Sequence, residues 1–177
     1  MHLHVHRRPA ALRLRGGGVP GLAVVVVLLA TALAGCRSDP GPLTSDAAPL
    51  TGKVAQTCAS FLETLPTTLA GLDAREVIPA DAPVRAWGEG LVLTCDAPQP
   101  PSFNKFAGCE QVRGVGWYFP QDQYNATGSE LLATAVGYQP RVSLLVPAQY
   151  RGDVSLEAFS DLADYIKPAL TLVKPCR

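Results

Sequence analysis

The sequence predicts a single small α+β domain: a mostly antiparallel sheet with an N-terminal and a C-terminal helix packed on one face, tied by two disulfides. Three observations lead there. Apolar residues recur at helical spacing near both ends of residues 51–177 and at strand spacing between them. Four cysteines, Cys58, Cys95, Cys109 and Cys176, stand in that span. Residues 1–35 read as an export signal, which puts those cysteines in an oxidising compartment where an even number pairs.

The signal comes first in the chain. Arg7, Arg8, Arg13 and Arg15 form its positive end, and an apolar run over residues 21–33 follows. That run has the length of a signal h-region and is short of the roughly 20 apolar residues of a permanent span. It closes on Leu33-Ala34-Gly35-Cys36. Small residues at 34 and 35 let a peptidase approach the backbone, and the Cys36 thiol is nucleophilic enough to take a diacylglycerol. The expectation is a lipoprotein: residues 1–35 removed, Cys36 lipidated, and the protein held at the extracytoplasmic face of the cell membrane. An uncleaved anchor and a secreted protein with an incidental cysteine are the alternatives.

Residues 36–50, rich in Pro, Gly, Ser and Asp, read as a flexible tether with too little apolar surface to pack. Residues 51–177 suffice for one compact domain. A helix is expected over 53–65, with Val54, Cys58, Phe61, Leu62 and Leu65 on one stripe and Pro66 as its stop. Residues 91–95 read as a buried strand, followed by a Pro-rich loop to Cys109. Residues 111–119 read as one strand carrying Val115, Trp117 and Phe119 on a face, with Gly114 marking a bulge. Strands at 131–136 and 141–146 are joined as a hairpin through residues 137–140. The last helix starts near Ser155, carries Leu156, Phe159, Leu162, Ala163 and Ile166, and ends or kinks at Pro168.

Composition narrows the chemistry. The chain's 3 histidines, His2, His4 and His6, all fall in the signal. A mature chain from Cys36 therefore lacks the base of Ser-His-Asp or Cys-His catalysis and the imidazole of a usual zinc site. All 15 acidic residues lie beyond the signal. The mature net charge is about −4, so the basic footprint of a nucleic-acid binder is missing. No CxxC pair occurs; a metal site gives way to disulfides, and no cofactor is implied. Three pairings are open. Cys95–Cys109, closing a local loop, and Cys58–Cys176, joining the domain's ends, are favoured.

Several motifs occur together here. They are the lipobox, Cys58 with Leu65-Pro66, Ala86-Trp87-Gly88 and Leu91-Val92-Leu93-Thr94-Cys95. Cys109-x-x-Val112-x-Gly114-Val115-x-Trp117, Arg141-Val142-x-Leu144-x-Val146-Pro147 and Cys176 continue the pattern. The chain resembles an actinobacterial family of secreted or lipid-anchored proteins, the domain of unknown function 3515, over most of residues 58–176. In that family a glycine commonly follows the Leu-x-Cys strand, where this chain has Asp96, and a basic pair precedes the Trp-Gly strand, where it has Arg75 alone. The resemblance implies fold, location and disulfides, and carries no activity.

Two site readings remain. Trp87, Trp117, Tyr118 and Tyr138 could line a ligand groove in which Arg113 or Arg141 holds an anionic group, though alternation makes Trp117 a core residue as well. The loop carboxylates Asp96, Glu110, Asp122 and Glu130 could serve glycoside hydrolysis if two lay about 5–10 Å apart. Lys53 and Lys105 read as solvated surface, and Ser60 and Ser102 have no histidine base. The function expected is a non-enzymatic accessory or binding module for a membrane protein or a cell-wall or lipid ligand. A histidine-free hydrolase of cell-wall glycan is the alternative.

Overall fold

The computed structural model describes residues 40–177; the signal and Cys36 lie outside them. Helix α1 (Gly52–Thr64) is the amphipathic segment expected, ending where Pro66 cannot continue it. Its buried residues, Cys58 and Phe61, face the sheet. The sheet has six strands: β2 (Thr68–Leu69), β3 (Leu72–Arg75), β5 (Val84–Trp87), β6 (Leu91–Cys95), β11 (Val142–Val146) and β9 (Leu131–Ala135), in that spatial order. Every neighbouring pair is antiparallel.

Register explains the core. Trp87 stands opposite Leu91, Leu93 opposite Leu144, Cys95 opposite Val142 and Val146 opposite Leu131, all of them buried. With a side-chain period of two, these residues share one face. That face meets α1 and the long C-terminal helix α3 (Asp153–Ala169), whose Ala158, Phe159, Leu162, Ala163 and Ile166 belong to the same core. The fold is therefore the small α+β domain read from the sequence. Helix α3 starts two residues earlier than expected. The Gly152 N–H donates to Ser155 Oγ, whose hydroxyl donates back to the Gly152 carbonyl, and Asp153 sits in the first turn. No helix among the described residues is long and apolar enough to cross a membrane.

Three expectations are corrected. Residues 111–119 are not one bulged strand: β7 (Glu110–Val112) and β8 (Val115–Trp117) form a hairpin. Its two-residue turn, Arg113-Gly114, has φ of 47° and 86°. Positive φ at both central residues is the turn that matches strand twist. The hairpin joins the sheet through the Tyr118–Thr134 bridge. Residues 40–50, expected to be part of a flexible tether, belong instead to the packed unit, which begins at Pro40. β1 (Leu43–Thr44) pairs in parallel with β4 (Val77–Ile78), and Arg75 donates to the Gly41 and Pro40 carbonyls at 2.5 and 2.9 Å. A segment too polar to form a core still has backbone to pair with an edge.

The third correction concerns the disulfides, which are Cys58–Cys95 and Cys109–Cys176, not the favoured pairs. Layer packing decides it. Helix α1 lies over the end of β6 and brings the Cys58 and Cys95 Cα atoms to 5.7 Å. Beyond α3, β12 (Thr171–Leu172) pairs with β10 (Tyr138–Gln139), and the tail continues to Cys176, whose Cα is 5.6 Å from that of Cys109. Glycine allows the close approach. A Cβ at Gly116 would strike the Cys176 carbonyl, and one at Gly137 would lie 2.5 Å from that of Lys174.

Candidate functional site

The proposed groove residues do not converge. Trp87 and Trp117 are both 0 % exposed. The Trp87 indole N–H donates to the Pro66 carbonyl at 3.0 Å, fixing the turn after α1. Arg113 projects from the hairpin turn and pairs with Asp164 of α3 at 3.0 Å, both side chains about half exposed. Arg141 donates to the Ala97 carbonyl at 3.0 Å. Tyr118 is buried and its hydroxyl meets Ser102 Oγ at 2.9 Å. Tyr138 is buried too, and burial raises its phenol above the ordinary 10.0. These side chains serve the core and its connections.

One ring outward from Trp117 lies a different hollow. Trp117 packs on Phe159 at 4.9 Å between centroids, and Phe159 meets Phe119 edge-on at 5.5 Å. Phe119 in turn packs on Tyr124 at 5.6 Å. Phe119, Tyr124 and Phe159, with Val112, Leu131 and Leu156, line a groove of about 710 Å³, a size that suits a ligand or an inserted side-chain cluster. Its walls are β7, the start of α3 and the short helix α2 (Gln121–Asn125) with the loop after it. Leu156 and Tyr124 stand 61 % and 46 % exposed at the rim.

Arg151 builds one wall. Its guanidinium donates to the carbonyls of Gln123, Tyr124, Ala126 and Ser129 at 2.7 to 3.3 Å. The backbone of residues 121–129 is thereby gathered around one cation. Glu110 is the one carboxylate in the lining; Glu130, Asp153 and Glu157 are exposed sequence neighbours of lining residues. Asp153 also answers the half-positive end of α3.

Of the four loop carboxylates singled out from sequence, Glu110 alone lines this groove; Asp96 ends β6 on another loop, at φ 61°. Among the described residues no three His, Cys, Asp or Glu side chains gather to hold a metal ion. The reading from sequence missed Arg151, Leu156 and Phe159 as groove residues. Arg151 had the signal of an arginine-glycine pair opening a helix; Leu156 was read onto the buried stripe of α3 with Phe159 and is instead 61 % exposed.

A family model described as "Protein of unknown function (DUF3515)" matches residues 18–173. No curated protein and no solved structure matches the chain.

Proposed function

The chain belongs to the DUF3515 family, and from that premise we propose that it is a lipid-anchored extracytoplasmic accessory module. Its groove beside α3 holds an apolar, basic segment of a membrane-protein partner. The observation that carries the reading is the aromatic hollow with Glu110 in its lining. Apolar side chains enter such a hollow because leaving water is worth about 25 cal/mol per Å² buried. Glu110, on a domain with more acidic than basic residues, selects what enters beside it. Lysine or arginine is welcome; a phospholipid phosphate or an acidic glycan is repelled.

Anchoring supports the same reading. A diacylglyceryl group on Cys36 confines the domain near the membrane, where a weak contact gains effective concentration. Hydrolysis of cell-wall glycan is less well supported. Such chemistry uses two carboxyl groups flanking the bond, and Glu110 is the one carboxylate in the lining.

The test is site-specific photocrosslinking in intact cells from position 124, the exposed tyrosine of the groove. The expected product is one membrane protein, captured through a basic, apolar stretch, with yield falling sharply in Cys36→Ala. Leu156→Lys weakens capture at least tenfold while changing stability by no more than about 0.5 kcal/mol, since the side chain is exposed. Crosslinks to glycan, or an unaltered yield in Leu156→Lys, would overturn the reading.

A further inference from the structure

Cations without carboxylate partners collect around the C-terminal tail. Residues 40–177 carry ten Lys and Arg against fourteen Asp and Glu, so any surface rich in unpaired cations has been segregated. Arg113 and Lys167 engage Asp164, Arg75, Arg141 and Arg151 engage backbone carbonyls, and half-buried Arg85 lines a separate hollow with Glu63 and Asp81. Lys53, Lys105, Lys174 and Arg177 have no carboxylate within ion-pair distance among the described residues. All four are exposed, and all four line two hollows that share the 171–177 tail as a wall. Neither lining contains an Asp or a Glu.

Apolar side chains stand among these cations. Phe106 is 86 % exposed, with the Lys105 ammonium 4.9 Å from its ring centre, and Leu172 and Val173 on the tail are about half exposed. A bare phenyl on a Pro-rich loop beside lysines suits an interface that is apolar a few ångströms deep and negative at its surface. We propose that this face docks the domain on an anionic phospholipid bilayer, Phe106 entering the acyl boundary and the four cations meeting headgroup phosphates. Charge complementarity selects a bilayer of that sign, and the anchor on Cys36 would bring it within reach. The face shares no lining residue with the aromatic groove.

The buried tryptophans make the test clean. Trp87 and Trp117 are fully buried, so in Phe106→Trp a lipid-borne quencher reports position 106 alone. The full chain carrying that change is added to vesicles of phosphatidylcholine with and without phosphatidylglycerol, both brominated in the acyl chains. Quenching is expected on the anionic vesicles and not on the neutral ones. It is lost at about 1 M salt, where the Debye length falls to about 3 Å. Removing one lysine weakens binding about fivefold, and Lys53→Ala/Lys105→Ala/Lys174→Ala together about a hundredfold.

Equal quenching on neutral vesicles, none on either, or an unaltered triple variant would overturn the proposal. Binding to an acidic protein surface without quenching would reassign the face to a protein partner. The mass of the purified chain reports acylation of Cys36 separately, so failure of the anchor and failure of this face are distinguishable.

Discussion

Asp96 and Arg113 both hold left-handed backbone, at φ 61° and 47°, and they do so on different terms. Arg113 is supported: its side chain pairs with Asp164, and its carbonyl accepts from Lys167 at 3.1 Å. The pair is exposed and worth about 0–1 kcal/mol; the turn geometry needs it less than it needs Gly114. Asp96 has no such support, since it is exposed and none of the hydrogen bonds or ion pairs described involves its carboxylate. For an L-residue this conformation costs about 1–2 kcal/mol, less for Asp, and a glycine gives part of that back through the freedom it adds to the unfolded chain. Asp96→Gly should stabilise the protein by a net of about 0.5 kcal/mol, raising the melting temperature by about 2 °C. A lowered melting temperature would mean that the carboxylate contributes to the folded state.

At the level of elements, what could be read from sequence was whatever a single segment decides for itself. The stripes of α1 and α3 and the apolar runs of β6, β9 and β11 each announce their period. Leu72–Arg75 and Val84–Trp87 are short and mix charge with small residues, so neither period is visible: β3 escaped, and β5 was legible only as the Trp-Gly strand of the family resemblance. The β7–β8 turn escaped because apolar alternation continues across Arg113-Gly114. The groove escaped because its walls come from residues 110 to 159 and no one segment contains it. Arg151 is the residue that makes those walls one structure, and it carries the next prediction. Arg151→Ala removes four charge-assisted bonds and should cost about 1–3 kcal/mol. Amide exchange should accelerate over residues 121–129 while the amides of β6 and β11 keep their order of protection. Arg151→Lys should restore little, because an ammonium cannot span the same set of carbonyls. Unchanged exchange in 121–129 would show that the loop holds itself.

For the whole molecule, the two disulfides divide the labour between core and periphery. Cys58–Cys95 lies inside the core, both residues 1 % exposed, and fastens α1 to the central strand. Cys109–Cys176 closes a separation of 67 residues and fastens the tail that carries Lys174 and Arg177 to the β7–β8 hairpin. In the chain-entropy account each is worth about 4 kcal/mol, because each restricts the unfolded chain over a long loop. Their loss should nevertheless look different in the native state. Without Cys58–Cys95 the buried partners of α1 still hold it, so stability falls while the domain continues to open as one unit. Without Cys109–Cys176 the tail keeps its pairing with β10, the Val173 and Lys174 bonds to the Gly137 carbonyl and the Gln111 amide bond to the Cys176 carbonyl. Residues 171–174 are themselves exposed, so the tail should open ahead of everything else. Native-state hydrogen exchange separates the cases. In Cys109→Ser/Cys176→Ser the amides of Val173 and Lys174 should exchange by local opening while that of Leu144 follows global unfolding; in Cys58→Ala/Cys95→Ala the order of protection should match wild type. Loss of anionic-vesicle binding should accompany the first variant only, since the cations on the tail then no longer share a fixed surface with Lys53 and Lys105. If Val173, Lys174 and Leu144 exchanged together in both variants, the tail would be part of the cooperative core, and the second disulfide would have no separate role in holding that face.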